Sequence, residues 1–94
     1  MNNTGSLINL TPEQARVHAT TLETISEDIR NVNSMLRNMA EVTLAPWQGK
    51  AKTEFITAFE TFEPSLQQAA SVLKTISMKL NSTAAIVERL DGRN

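Results

Sequence analysis

Two runs of mostly apolar residues, each advancing by alternate steps of three and four, constrain this chain more than any other feature. The first is Ala15, His18, Leu22, Ile25, Ile29, Val32, Leu36 and Met39. The second is Phe55, Phe59, Phe62, Leu66, Ala69, Leu73, Ile76, Leu80, Thr83, Val87 and Leu90. Such steps keep side chains on one face of an α-helix, whereas a half-buried strand needs steps of two. The chain is therefore expected to be all-α and built on two long helices, each with an apolar stripe facing a neighbour.

What lies between the runs sets their arrangement. Ala45 precedes a proline and is biased out of the right-handed helical region, while Gly49 can take the positive φ that other residues resist. Pro46 and Gly49 flank the single tryptophan, Trp47. A break this short makes the helices fold back antiparallel, and a turn centred near residues 46 to 48 makes facing residue numbers sum to roughly 94. Met39 is then expected opposite Phe55, Val32 opposite Phe62, Ile29 opposite Leu66, and Leu22 opposite Leu73, with His18 near Ile76. By the same register helix two outruns helix one, leaving Leu7, Ile8 and Leu10 to cover Val87 and Leu90.

The ends of the helices are also marked. Thr11 has the oxygen of an N-cap, Pro12 fits the first helical position, Glu13 sits near the positive dipole end, and Gln14 completes a capping box. Leu90-Asp91-Gly92 closes the second helix, with glycine suited to the left-handed position after the cap. One domain over residues 1–94 follows, with helix one at about 11–44, a turn at about 45–49 and helix two at about 50–91. Pro64 is expected to kink helix two without ending it, because the stripe continues unchanged from Phe62 to Leu66.

Composition removes several classes of function. The chain has 94 residues, with 9 Lys+Arg against 10 Asp+Glu and a net charge of -1, so it has no basic surplus for nucleic acid or an anionic membrane. The absence of cysteine excludes disulfides, thiolate catalysis and sulfur-ligated zinc. His18, the only histidine, has no metal-ligand partner at suitable spacing and no nucleophile or orienting acid, so no metal, cofactor or enzyme activity is expected. MNNTGSLINL has neither a basic residue nor a sustained apolar run, which argues against a cleaved signal peptide, and no stretch approaches the roughly 20 apolar residues of a membrane span. Glu23, Glu27 and Asp28 read as a solvated acidic face, while Lys50 and Lys52 sit unfavourably at the start of helix two and would suit an acidic partner.

A lone two-helix hairpin has no second layer to hide its other flank. Val17, Met35 and Val42 on helix one and Ile56, Ala70, Val72, Met78 and Ile86 on helix two lie outside the primary stripe and widen it toward the arc of a four-helix bundle. The expected architecture is thus a helix-turn-helix hairpin that dimerises into an elongated bundle.

With Trp47-Gln48-Gly49 at the only break between two helices, in a chain near one hundred residues, the sequence resembles the WXG-100 (ESAT-6-like) family along its whole length. That resemblance implies export as a folded antiparallel dimer by a type VII secretion ATPase, without a cleaved signal, and an extracellular destination. It also implies a recognition role for Trp47 and Gly49, and pairing as a homodimer, with a heterodimer with a homologue as the alternative. Family members are similar in acting through a Tyr-X-X-X-Asp/Glu motif after the last helix. This chain has no tyrosine, and its nearest counterpart is Val87 with Asp91, valine standing where the aromatic belongs. Three readings stay open: the partner supplies the signal, a degenerate signal suffices, or this hairpin is an adaptor or intracellular chaperone for a larger toxin.

Overall fold

The computed structural model describes residues 11–91, and among them the chain is a hairpin of two long helices, 68 × 29 × 15 Å. Leu7, Ile8, Leu10 and Gly92, to which the sequence assigns covering and capping roles, lie outside the described residues. Helix α1 spans Pro12–Asn38 and α2 spans Lys50–Asp91. Thr11 is extended, and its hydroxyl accepts the Gln14 N–H at 3.1 Å while the Gln14 carboxamide oxygen accepts the Thr11 N–H at 2.9 Å. These reciprocal bonds satisfy amide donors that the first turn of a helix cannot pair internally.

The end of α1 departs from a regular α-helix. After Asn38 the chain widens into a π-helical turn over Met39–Thr43, closed by the Leu44 N–H donating to the Met39 carbonyl at 2.9 Å. In an unbroken α-helix Leu44 would stand roughly 80° around the axis from Leu36. The wider turn absorbs that drift, and Leu44 is buried at the inner end of the hairpin. The Ala45 and Trp47 amides then donate to the Val42 and Leu44 carbonyls at 3.1 and 2.9 Å. Gly49 carries φ 94° and is the one residue with positive φ among those described. No atom crowds the space a Cβ would take there, so the need for glycine is conformational. Beyond it α2 runs continuously for 42 residues with Pro64 in its interior.

The hairpin divides the apolar stripe. Ala15 and Phe59 are buried, and Leu22, Ile29, Leu36, Phe55, Leu66, Leu73 and Leu80 are half-buried between the helices. The remaining contact positions are mostly small: Ala19, Ser26 and Ala40 from α1 and the π turn, and Ala70, Ser77 and Ala84 from α2, each set recurring at multiples of seven. Ser26 Oγ donates to the Ala70 carbonyl at 2.7 Å, so a short side chain spans from one helix to the backbone of the other. The Asn33 carboxamide donates to Glu63 at 3.1 Å, and both bonds place the register about two residues from the expected one. The other large apolar members of the stripe, Ile25, Val32, Met39, Phe62, Ile76, Val87 and Leu90, remain exposed, as do His18, Ala69 and Thr83.

One flank is laced by charge. Arg16 pairs with Glu88, Glu23 with Lys74, and Arg37 with Glu63, each pair crossing from α1 to α2. The Glu88 carboxyl is held below its ordinary value by the Arg16 hydrogen bond first and by the guanidinium charge as well. A lowered folded-state pKa contributes stability above the ordinary carboxylate range and loses it as pH falls through the folded value.

Two outcomes follow from this packing. Ser26→Leu should cost about 1–3 kcal/mol in urea unfolding at fixed protein concentration by forcing the helices apart, and Ser26→Ala only about 0.5–1.5 kcal/mol through the lost hydrogen bond. A larger loss for alanine than for leucine would refute the close-contact account. In a carbon-detected titration, Glu88 should titrate below the ordinary glutamate range in the natural chain and return to that range in Arg16→Gln.

Candidate recognition tip and pairing face

Two surfaces of the hairpin are shaped for contact, and neither contains catalytic chemistry. At the tip, Leu44 closes the end of the core, which releases Trp47 from that task, and Trp47 is 56% exposed. A large ring with one N–H donor, held in solvent by a bonded turn, is an unusual use of an amphipathic side chain that is normally kept inside or at interfaces. The turn that carries it is tied down on both sides. The Trp47 N–H is bonded to the Leu44 carbonyl, the Thr53 N–H donates to the Gly49 carbonyl at 3.3 Å, and Lys52 Nζ donates to the Ala45 carbonyl at 3.3 Å. That last contact gives Lys52 a role the sequence hides. Although it begins α2, where a cation is disfavoured, its ammonium reaches the carbonyl-rich end of the preceding helix, where a cation is favoured.

The second surface is the apolar flank. Three residues beyond the inward-facing Leu22, Ile29 and Leu36 come Ile25, Val32 and Met39. The same step from Phe59, Leu66 and Leu73 leads to Phe62, Ala69 and Ile76. In antiparallel right-handed helices both steps turn toward the same side of the pair. Ile25, Val32 and Met39 are 41, 47 and 38% exposed, and Phe62 and Ile76 are 66 and 41% exposed, so this side presents a long apolar face to solvent. Met35 and Val42, seven residues apart, and Val72 and Ile86, fourteen apart with Lys79 between them, lie along its shoulders, and the four apolar residues are exposed. Toward the tip the face holds a hollow of about 160 Å³ among Leu36, Phe55, Ala58, Phe59 and Phe62. A contiguous exposed apolar surface of this kind is a candidate protein-contact site.

Val87 and Asp91 lie one turn apart at the far end of α2, both exposed. His18 is exposed on α1, and among the described residues no cluster of His, Asp or Glu is arranged to hold a metal ion. Residues that the apolar pattern does not single out turn out to matter. Ser26, Ser77 and Ala84 line the helix contact, Asn33 engages Glu63 there, and Leu44 plugs its end. The available signal was the recurrence of small residues seven apart, which a search for large apolar side chains passes over.

The geometry has close counterparts. The WXG100 family model, described as proteins of 100 residues with WXG, matches residues 7–92. The type VII secretion system extracellular protein A of Staphylococcus aureus strain USA300 is 30% identical over 86 residues, 92% of this chain and 89% of that protein. The protein of the same name from strain Newman matches to the same extent. Among solved structures, Geobacillus thermodenitrificans EsxA in crystal form I aligns with a TM-score of 0.84 at 26% identity, covering 90% of this chain and 92% of that one. A Trp-X-Gly tip on a helical hairpin, matched along nearly its whole length by sequence and by fold, shows that the chain belongs to the WXG100 family of small non-enzymatic proteins.

Proposed function

We propose that this protein is a substrate of a type VII secretion system, made and folded in the cytoplasm and exported as a dimer to the extracellular space without removal of a signal peptide. The observation that carries the reading is Trp47, 56% exposed on a turn whose core end is closed by Leu44. A residue that the fold does not need for packing is available for recognition by the secretion ATPase. The relatives described above are named as extracellular proteins of type VII systems, which supports the same destination.

The dimer is read from the apolar flank. A second copy of the chain, laid across Ile25, Val32, Phe62 and Ile76, would bury side chains that one hairpin leaves in water and complete a four-helix bundle. A homologous hairpin would cover the same face in a heterodimer. One feature favours an adaptor role beside that of substrate. The chain has no tyrosine, and Val87 with Asp91 offers only the acid of the expected pair. A partner bearing the aromatic, either a homologue or a larger secreted protein, would then supply the second half of the export signal while this hairpin supplies Trp47.

Trp47→Ala should reduce export to background in a secretion assay while leaving helicity and native mass unchanged, and undiminished export would remove the recognition claim. Placing aspartate at Val32 and Phe62 together should convert the dimer to a monomer. Because each site occurs twice in a symmetric interface, the dissociation constant should rise by roughly a hundredfold or more. Sedimentation showing an unchanged dimer would place the interface elsewhere.

A further inference from the structure

The flank opposite the apolar face carries Arg16, Glu23, Arg30 and Arg37 at seven-residue intervals. Three of these rungs close on an opposite charge from α2, namely Glu88, Lys74 and Glu63. Arg30 does not. Its guanidinium meets the Ser71 hydroxyl at 3.5 Å, the outer limit of a hydrogen bond, and among the described residues it has no ion-pair partner. Glu63 is already engaged, accepting from both Asn33 and Arg37.

Where the fourth rung would close, the helices leave a groove of about 440 Å³ lined by Arg30, Asn33, Ser34, Leu66, Gln67 and Ser71. Arg30, Gln67 and the two serine hydroxyls offer several donors to this space, and none of the lining side chains is a carboxylate. A guanidinium fork matches a planar carboxylate, and charge-assisted bonds of that type are about twice as strong as neutral ones. The apolar wall at Leu66 suits the methylene stem of a glutamate, for which an inorganic anion has no equivalent. The groove also stays open when a second hairpin covers the other flank.

We propose that this groove is a docking site for a glutamate side chain of another polypeptide, completing the unfilled rung at Arg30. The occupant is a partner segment with an exposed acidic residue, seated on the charged flank while the apolar flank remains free for pairing. The site therefore stands whether the hairpin pairs with itself or with a homologue.

The test titrates the full chain, labelled with nitrogen-15, with three probes: a capped alanine-rich helical peptide bearing two glutamates, the same peptide with glutamines, and inorganic phosphate. The glutamate peptide should give saturable shifts at the Arg30 Nε–H and the Gln67 side-chain amide, binding roughly tenfold or more tightly than the glutamine peptide. Arg30→Gln, an exposed substitution, should abolish those shifts while circular dichroism stays unchanged. Equal shifts at Arg16 and Arg37, equal affinity for the glutamine peptide or for phosphate, or binding that survives in Arg30→Gln would each overturn the assignment.

Discussion

The close approach of the two helices, made possible by alanine and serine along their contact, is the constraint on which the rest of this structure depends. Ser26 touches the backbone of α2 through its hydroxyl, which requires the helix axes to lie nearer than leucine against leucine would allow. To bring the small residues inward, each helix turns slightly from the orientation that would centre the apolar stripe. Half of that stripe then stays between the helices and half is carried out to one side. The exposed apolar flank is thus a consequence of how the hairpin closes on itself. An inner contact built from alanine and serine also buries less apolar surface than one built from leucine, so the hairpin leaves on its outer flank apolar area that a larger core would have buried.

The same rotation separates two kinds of surface. On one side lie Ile25, Val32, Phe62 and Ile76, exposed and uncharged. On the other, ion pairs bridge the helices at the flank's edge. Ion pairs that remain largely in water, such as Arg16–Glu88 and Glu23–Lys74, add little stability. Their larger effect is on specificity, since a second hairpin placed on the charged flank would have to desolvate them without adding apolar burial. Charge on one flank therefore makes it a poorer seat for a whole second hairpin than the apolar flank.

The helices, their antiparallel order and the capping box at Thr11 can be read from the sequence because they follow from local rules: apolar spacing, proline and glycine placement, and side-chain oxygens at a helix start. The division of the stripe is harder to read, because it depends on which of two adjacent heptad positions faces inward. Leu22, Ile29 and Leu36 satisfy both choices, and only the volumes of Ala19, Ser26 and Ala40 decide between them. The π turn at Met39–Thr43 is hidden for a related reason. No residue in MAEVT demands it, and it arises from the tertiary gain of burying Leu44. Trp47 was legible as a tip residue, but whether it would plug the core depended on Leu44 reaching that place first. Arg30 is indistinguishable from Arg16 and Arg37 in the sequence. It differs only through what α2 sets opposite it, a serine instead of a glutamate.

The tip shows how these constraints combine. The carbonyl-rich end of α1 would ordinarily be left to water, yet Lys52 returns from the next helix to the Ala45 carbonyl. With Leu44 anchored below and Lys52 bridging across, the five residues from Ala45 to Gly49 have few alternative paths, and the positive φ of Gly49 directs the chain into α2. The backbone of a braced turn loses little conformational freedom when its indole meets a partner, because that part of the ordering has already occurred during folding. A recognition residue on a free loop would bear that cost at each encounter. The π turn, the buried leucine and the bridging lysine are best understood together, as the mounting that holds the backbone of Trp47 in place while its side chain stays exposed.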